Sequence, residues 1–187
     1  MRIAIYAQPR SGSTVLARYV ANSLPGYKLL LEPFNPQFSG MYSDYEIWKK
    51  DNIVSKFIVR RSDGVKSINR INKCYDKVIN LTRENDLEGG ESELRAVFAK
   101  EWHERYSYDA TKVDPDILAE VKYNREVEKN FIRKIEGFQI TYEEIFYERV
   151  GIPKINNYIG IKTNRYIHLL DIKNKYRVNI KHDKTPI

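Results

Sequence analysis

A short apolar strand, a polar turn holding one glycine and an amphipathic helix follow one another at the start of the chain, and nothing else in the sequence restricts the fold as strongly. Arg2-Ile-Ala-Ile-Tyr-Ala7 reads as a buried strand, and Gln8 to Ser13 as the turn. Thr14 to Leu24 then has helix periodicity, with Val15, Leu16, Tyr19 and Val20 on one side. Pro25-Gly26 stops the helix, and Tyr27 to Leu31 is a second apolar strand. Glu32-Pro33-Phe34-Asn35-Pro36 breaks that strand, and the segment to about Tyr45 reads as loop.

The alternation continues. Ile53 to Val59 is a third strand. Ser62 is placed to cap a helix carrying Val65, Ile68, Ile71 and Tyr75. Lys77 to Thr82 is a fourth strand, and Arg83 to Glu91, with Gly89-Gly90, a polar connection. Ser92 to about Tyr106 is helical. Asp114-Pro115 starts a long helix with Ile117, Val121, Phe131 and Ile135 as its apolar side. Gly137 to Thr141 is a fifth strand, and Thr141 with Glu144 makes a capping-box pattern for a helix after it. Beyond Val150 the pattern weakens, and Tyr166 to Ile172 fits helix or strand. Strands alternating with helices predict an α/β fold of three layers, α/β/α, around a central parallel sheet of about five strands.

The 187 residues suit one domain, with the basic segment from 151 to 187 packed on it. A chain of this length buries a core without disulfides, and its single cysteine, Cys74, excludes a disulfide framework and a cysteine-based zinc site. No apolar run is long enough for a membrane span, and Ile3 to Ala7 is too short for a signal-peptide core. The expectation is a cytoplasmic protein without membrane contact. Net charge is +7, and Gly151 to Ile187, with eight basic and two acidic residues, carries +6 of it. Such an end suits an anionic ligand, or is a solvated face.

Ala7-Gln-Pro-Arg-Ser-Gly-Ser-Thr14 lies between first strand and first helix, where open α/β sheets bind ligands. A helix N-terminus there offers N–H groups and the positive end of a dipole. Gly12 lets the backbone curl around an anion, Ser13 and Thr14 add hydroxyl donors, and Arg10 adds a fixed charge. Against the nucleotide pattern G-x-x-x-x-G-K-[ST], only Gly12 and Thr14 fit, and Ser13 replaces the lysine that reaches the terminal phosphates. A standard ATP or GTP loop is excluded. A polar turn with a serine cap is the alternative.

Pro9-Arg10-Ser11-Gly12-Ser13-Thr14 resembles the 5′-phosphosulfate loop of sulfotransferases that use 3′-phosphoadenosine 5′-phosphosulfate (PAPS), most closely the bacterial carbohydrate branch. Val78-Ile-Asn-Leu-Thr-Arg83, followed by Ser92, is similar to that family's 3′-phosphate motif, a strand-end Arg and a Ser at a helix start. A guanidinium fork with a hydroxyl suits a ribose 3′-phosphate. Gly89-Gly90-Glu91 and Glu93 around the serine depart from that pattern. Gln139-Ile-Thr-Tyr-Glu-Glu-Ile145 is a weaker echo and reads as structural. The likeness runs from about Met1 to Ile145.

The resemblance implies a P-loop-like sulfotransferase fold and transfer of a sulfuryl group from PAPS to an acceptor hydroxyl, with adenosine 3′,5′-bisphosphate (PAP) as product and no metal. The acceptor it implies is a carbohydrate. Arg10 and the loop, Ser11 to Thr14, would hold the 5′ end; Arg83 and Ser92 would hold the 3′-phosphate. Some relatives place a histidine base between the two motifs, but His103, His168 and His182 all lie beyond Arg83. Glu32, after the second strand, is then the base by resemblance to the carbohydrate branch, or a loop acid tied to a backbone N–H. Lys56, read as opening the third strand, approaches the sulfuryl group or is a surface lysine. Arg60 and Arg61 bind an acidic acceptor or solvate the rim. Lys162 and Arg165 are candidates for a second clamp on the 3′-phosphate. Loop aromatics Phe34, Phe38, Tyr42, Tyr45 and Trp48 suit stacking on a sugar or aryl group. Three other readings stay open: a small-molecule or nucleotide kinase, a nucleic-acid-binding module using the basic end, and a degenerate fold that binds without turnover.

Overall fold

Strand β1 (Arg2–Ala7) is buried along its whole length, as the centre of a parallel sheet requires. Its side chains alternate between two cores. Ile3, Ile5 and Ala7 join Leu16, Ala17, Tyr19 and Val20 of α1 (Ser13–Ser23) on one face. Ala4 and Tyr6 join Phe57, Ile132 and Ile135 on the other. The sheet therefore lies between two layers, the three-layer α/β arrangement expected from the alternation.

The computed structural model describes residues 1–33, 35, 49–60, 68, 72–98, 114–162, 165–168 and 170. Within them the sheet is completed by β2 (Lys28–Leu31), β3 (Ile53–Ile58), β4 (Lys77–Thr82) and β5 (Phe138–Thr141), in the order β2-β3-β1-β4-β5. Every pairing is parallel. The register pairs Ala7 with Ile58 and with Leu81, Leu31 with Lys56, and Thr82 with Thr141. The carboxyl ends thus form one rim, with β1 at its centre.

Among the described residues, four further helices are assigned. They are α2 (Asp86–Phe98), α3 (Pro115–Ile132), α4 (Tyr142–Phe146) and α5 (Gly151–Ile159). α3 starts as its sequence demands, with Asp114 accepting a hydrogen bond from the Asp116 N–H and proline in the first turn. α4 carries the expected capping box: Thr141 Oγ1 accepts from the Glu144 N–H at 3.1 Å, and Glu144 Oε2 accepts from the Thr141 N–H at 2.9 Å. α5 lies where the sequence pattern weakened; Ile152, Ile155 and Ile159 bury one side, and the Tyr19 hydroxyl donates to Asn156 Oδ1 at 2.8 Å.

Three expectations change. α2 begins at Asp86, so Gly89-Gly90 lies inside a helix and Ser92 in its second turn, not at its start. Asn85 is the residue that caps it, its side chain accepting from the Glu88 N–H at 3.1 Å. Lys56 sits within β3 and is buried, not at the strand's opening. On α3, Ile117 is exposed, and the buried positions are Arg125, Glu128, Lys129 and Ile132. Of the helix expected after Ser62, Ile68 and Asn72 are described and helical, whereas Tyr75 lies beyond the helix in the connection to β4; Ser62, Val65 and Ile71 lie outside the described residues, as do Phe34, Phe38, Tyr42, Tyr45, Trp48, Arg61, His103, Tyr106, Ile172, His182 and the basic residues after Leu170. Among the described residues no helix is long and apolar enough to cross a membrane.

Candidate functional site

The residue after four of the five strands enters one site: Gln8 after β1, Glu32 after β2, Arg83 after β4 and Tyr142 after β5. Gln8 is fully buried and bolts the rim together. Its side-chain carbonyl accepts from the Arg83 N–H at 2.9 Å, and its amide donates to the Arg125 carbonyl at 2.7 Å. Ser11 turns its hydroxyl inward onto the Gln8 carbonyl at 2.7 Å, so it shapes the turn. Gly12 is the N-cap of α1, with φ 80°, a left-handed conformation that glycine adopts without strain, and no side chain caps the helix there. The Val15 and Leu16 N–H groups donate to the Gly12 carbonyl at 3.0 and 3.1 Å, which leaves those of Ser13 and Thr14 for another acceptor. Arg10, two residues earlier, is left-handed at φ 57° without being glycine. Such a conformation costs about 1–3 kcal/mol and concentrates at ligand-holding turns.

Two arginines face each other across this turn. Arg83 is 4% exposed, and its Nη1 donates to the Arg10 carbonyl at 3.1 Å. The Tyr142 ring lies 4.3 Å from its guanidinium. Arg10 Nε donates to Ser92 Oγ at 3.1 Å. Arg10, expected at the 5′ end, thus touches both Arg83 and Ser92, the pair expected at the 3′-phosphate. Burial, and then the charge of Arg83, lower the Arg10 pKa, which Glu93 only partly offsets. Positive charge held this close is eased by an anion.

Sequence reasoning missed the buttress beneath the turn. Arg125, on α3, is 1% exposed. Its Nη1 donates to the Pro9 carbonyl at 2.9 Å and pairs with Glu93 at 3.1 Å. The guanidinium lies across Gly89, where an added Cβ would stand 2.4 Å from Nη2. Of the two glycines that depart from the family pattern, Gly89 makes room for this arginine. A signal was present: Arg125 follows Ile117 and Val121 at intervals of four, so a charge falls on the stripe read as apolar.

On the other side of β1, Glu32 is left-handed at φ 49°. Its N–H donates to the Lys56 carbonyl at 2.8 Å. Its Oε1 is 2.5 Å from Lys56 Nζ, and its Oε2 accepts from Asn35 Nδ2 at 3.0 Å. Lys56 also donates to Thr14 Oγ1 at 3.3 Å, tying the pair to α1. Burial pushes the Glu32 carboxyl up, but hydrogen bonds from Lys56 and Asn35, with the charges of Lys56 and Arg60, outweigh it and hold the group below its usual range. It is an ionised acceptor positioned beside a buried ammonium. Ser13 is buried on the first turn of α1.

Arg60 extends to Glu93 at 3.4 Å, placing it on the same rim. Arg165 is exposed and lies 5.8 Å over its neighbour Tyr166; no hydrogen bond or ion pair joins it to Arg10, Arg83 or Ser92 among the described residues. Lys162 is exposed. Cys74 is a free thiol. Among the described residues no group of three or more His, Cys, Asp or Glu is arranged to hold a metal.

No protein-family model and no curated protein sequence matches the chain. Among solved structures it is similar to the sulfotransferase domain from the curacin biosynthetic pathway, with a TM-score of 0.52 and 16% identity over 90% of this chain and 75% of that one. Among the described residues, the parallel five-stranded sheet flanked by helices is an α/β sulfotransferase fold of the P-loop-like kind.

Proposed function

We propose that the protein is a sulfotransferase that moves a sulfuryl group from PAPS to an acceptor hydroxyl, on a carbohydrate. One observation carries this reading: Arg10, Arg83 and Ser92, which the two sequence motifs single out, meet at the N-terminus of α1. The residues fit the donor. Gly12 presents an uncapped helix start for the 5′ end, with Ser13 and Thr14 behind it, and Arg83 with Ser92 suits a 3′-phosphate, which ATP lacks.

The donor supplies the sulfuryl group: its sulfur–oxygen bond to the 5′-phosphate breaks as a new sulfur–oxygen bond forms to the acceptor. Arg10 and the α1 amides stabilise charge on the departing phosphate oxygen. Glu32 accepts the acceptor's proton, and Lys56 holds that carboxylate ionised and oriented. Arg60 lines the acceptor side of the rim. The carbohydrate assignment rests on the arginine form of the loop and the glutamate after β2, which match that branch of the resemblance.

Arg10→Ala separates this reading from a merely structural turn. It is expected to weaken PAP binding about tenfold or more, the scale of a lost charge-assisted contact, and to abolish transfer of labelled sulfate from PAPS to carbohydrate acceptors. Unchanged PAP affinity would remove the loop from the donor site.

A further inference from the structure

Arg83, the residue best placed for a 3′-phosphate, is already engaged. Its Nη2 lies 2.8 Å from a Glu88 carboxylate oxygen. Its Nε is buried and has no acceptor among the described residues. The anion paired with this guanidinium is thus the protein's own. Glu88 has a second anchor, since the Tyr147 hydroxyl lies 3.2 and 3.0 Å from its two oxygens. The two partners differ in freedom: the Glu88 side chain is 38% exposed and that of Arg83 only 4%. The carboxylate can turn towards water, while the guanidinium is fixed by the Arg10 carbonyl and the Tyr142 ring.

We propose that Glu88 is a resident competitor for the ligand's phosphate. It neutralises the buried Arg83 in the free protein, leaves that guanidinium while keeping Tyr147 when a phosphate docks, and returns as the phosphate departs. A buried charge without a partner is costly, so the exchange keeps Arg83 paired at every stage. The device favours release: affinity is subtracted from any ligand that uses Arg83 and from no other. This inference rests on the bisphosphate reading of the site.

The test is calorimetric titration of the whole chain with PAP and, separately, with AMP, which lacks the 3′-phosphate. Glu88→Gln is expected to tighten PAP binding about tenfold, the scale of one charged hydrogen bond that no longer has to be exchanged. AMP binding should stay within about threefold, and Glu91→Gln, which removes an equal charge from the same helix, should change PAP binding by no more. If Glu88→Gln melts below the assay temperature, Glu88→Asp keeps the charge and shortens the reach, and should still tighten PAP about threefold. Wild-type binding of PAP with equal or weaker binding by the Glu88 variants overturns the competitor and leaves the function standing. An equal gain from Glu91→Gln overturns it too, since the effect is then one of general charge. If neither wild type nor variant binds PAP, the competitor falls together with the reading it rests on.

Discussion

Glu32 carries two constraints at once: a left-handed backbone at φ 49° and a carboxylate clamped by Lys56 and Asn35. Both are expected of a group that must hold one position while a proton reaches it. Glu32→Gln is expected to cut the transfer rate by about two to four orders of magnitude, the range of a positioned base, and to leave the calorimetric PAP affinity unchanged. Because the folded pKa is depressed, the base is ionised above it, and the rate is lost as pH falls through it. The acid limb of the pH–rate profile should therefore lie below the ordinary glutamate value of about 4.3. Lys56→Met removes the main lowering partner and leaves burial, which raises the carboxyl. The limb should then move up. A limb that stays put would take Glu32 out of the proton path. The same sign governs stability: the contribution of this carboxylate is present above the unfolded pKa and fades as pH falls through the folded one.

At the scale of elements, α2 is where sequence and structure part. Asn85 with Glu88 three residues on is a recognisable helix start, but Gly89-Gly90 reads as a break and hides it. The reason for Gly89 is the Arg125 guanidinium, delivered from another helix, and no local pattern encodes that. Gly89→Ala should push the arginine off the Pro9 carbonyl, lowering both the melting temperature and the PAP affinity. Gly90→Ala meets Val121 Cγ1 at 3.3 Å, a contact a small shift absorbs. Its helix-propensity gain of about 0.5–1 kcal/mol should leave stability near wild type or above it. The strand bounds, by contrast, were legible, because β1 is a near-continuous apolar run and the apolar residues of β3 and β4, interrupted by Ser55-Lys56 and Asn80, are closed by polar turns. The β5–α4 junction was legible as a capping box, and its Glu144 carboxyl is raised by burial but held lower overall by Lys154 and Thr141. Thr141→Ala should cost about 1 kcal/mol in denaturant unfolding at neutral pH. The penalty of Glu144→Gln should shrink as pH falls through the depressed Glu144 pKa.

For the whole molecule, the strand order places β1 at the centre and aligns every carboxyl end on one rim. The alternation of strands and helices foretold the layers, but not the register that sets Leu31 beside Lys56 and so brings Glu32 to its ammonium. Nor did it foretell α5, whose isoleucines become one face only once the helix forms. The Tyr19–Asn156 hydrogen bond joins that helix to α1, the helix that follows the Gln8–Gly12 turn. Tyr19→Phe should cost about 0.5–1.5 kcal/mol, the net value of one buried hydrogen bond. No loss on chemical denaturation would mean that the bond adds nothing.

The most direct test of the central claim needs no acceptor. The purified protein is titrated calorimetrically with PAP, with ATP–Mg²⁺ and with AMP. A donor site built from Arg10, Arg83 and Ser92 requires micromolar or tighter binding of PAP, with AMP and ATP much weaker. Tight ATP–Mg²⁺ binding with no preference for PAP would contradict it and make the protein a kinase-like enzyme. Binding of none of the three would remove the nucleotide site altogether.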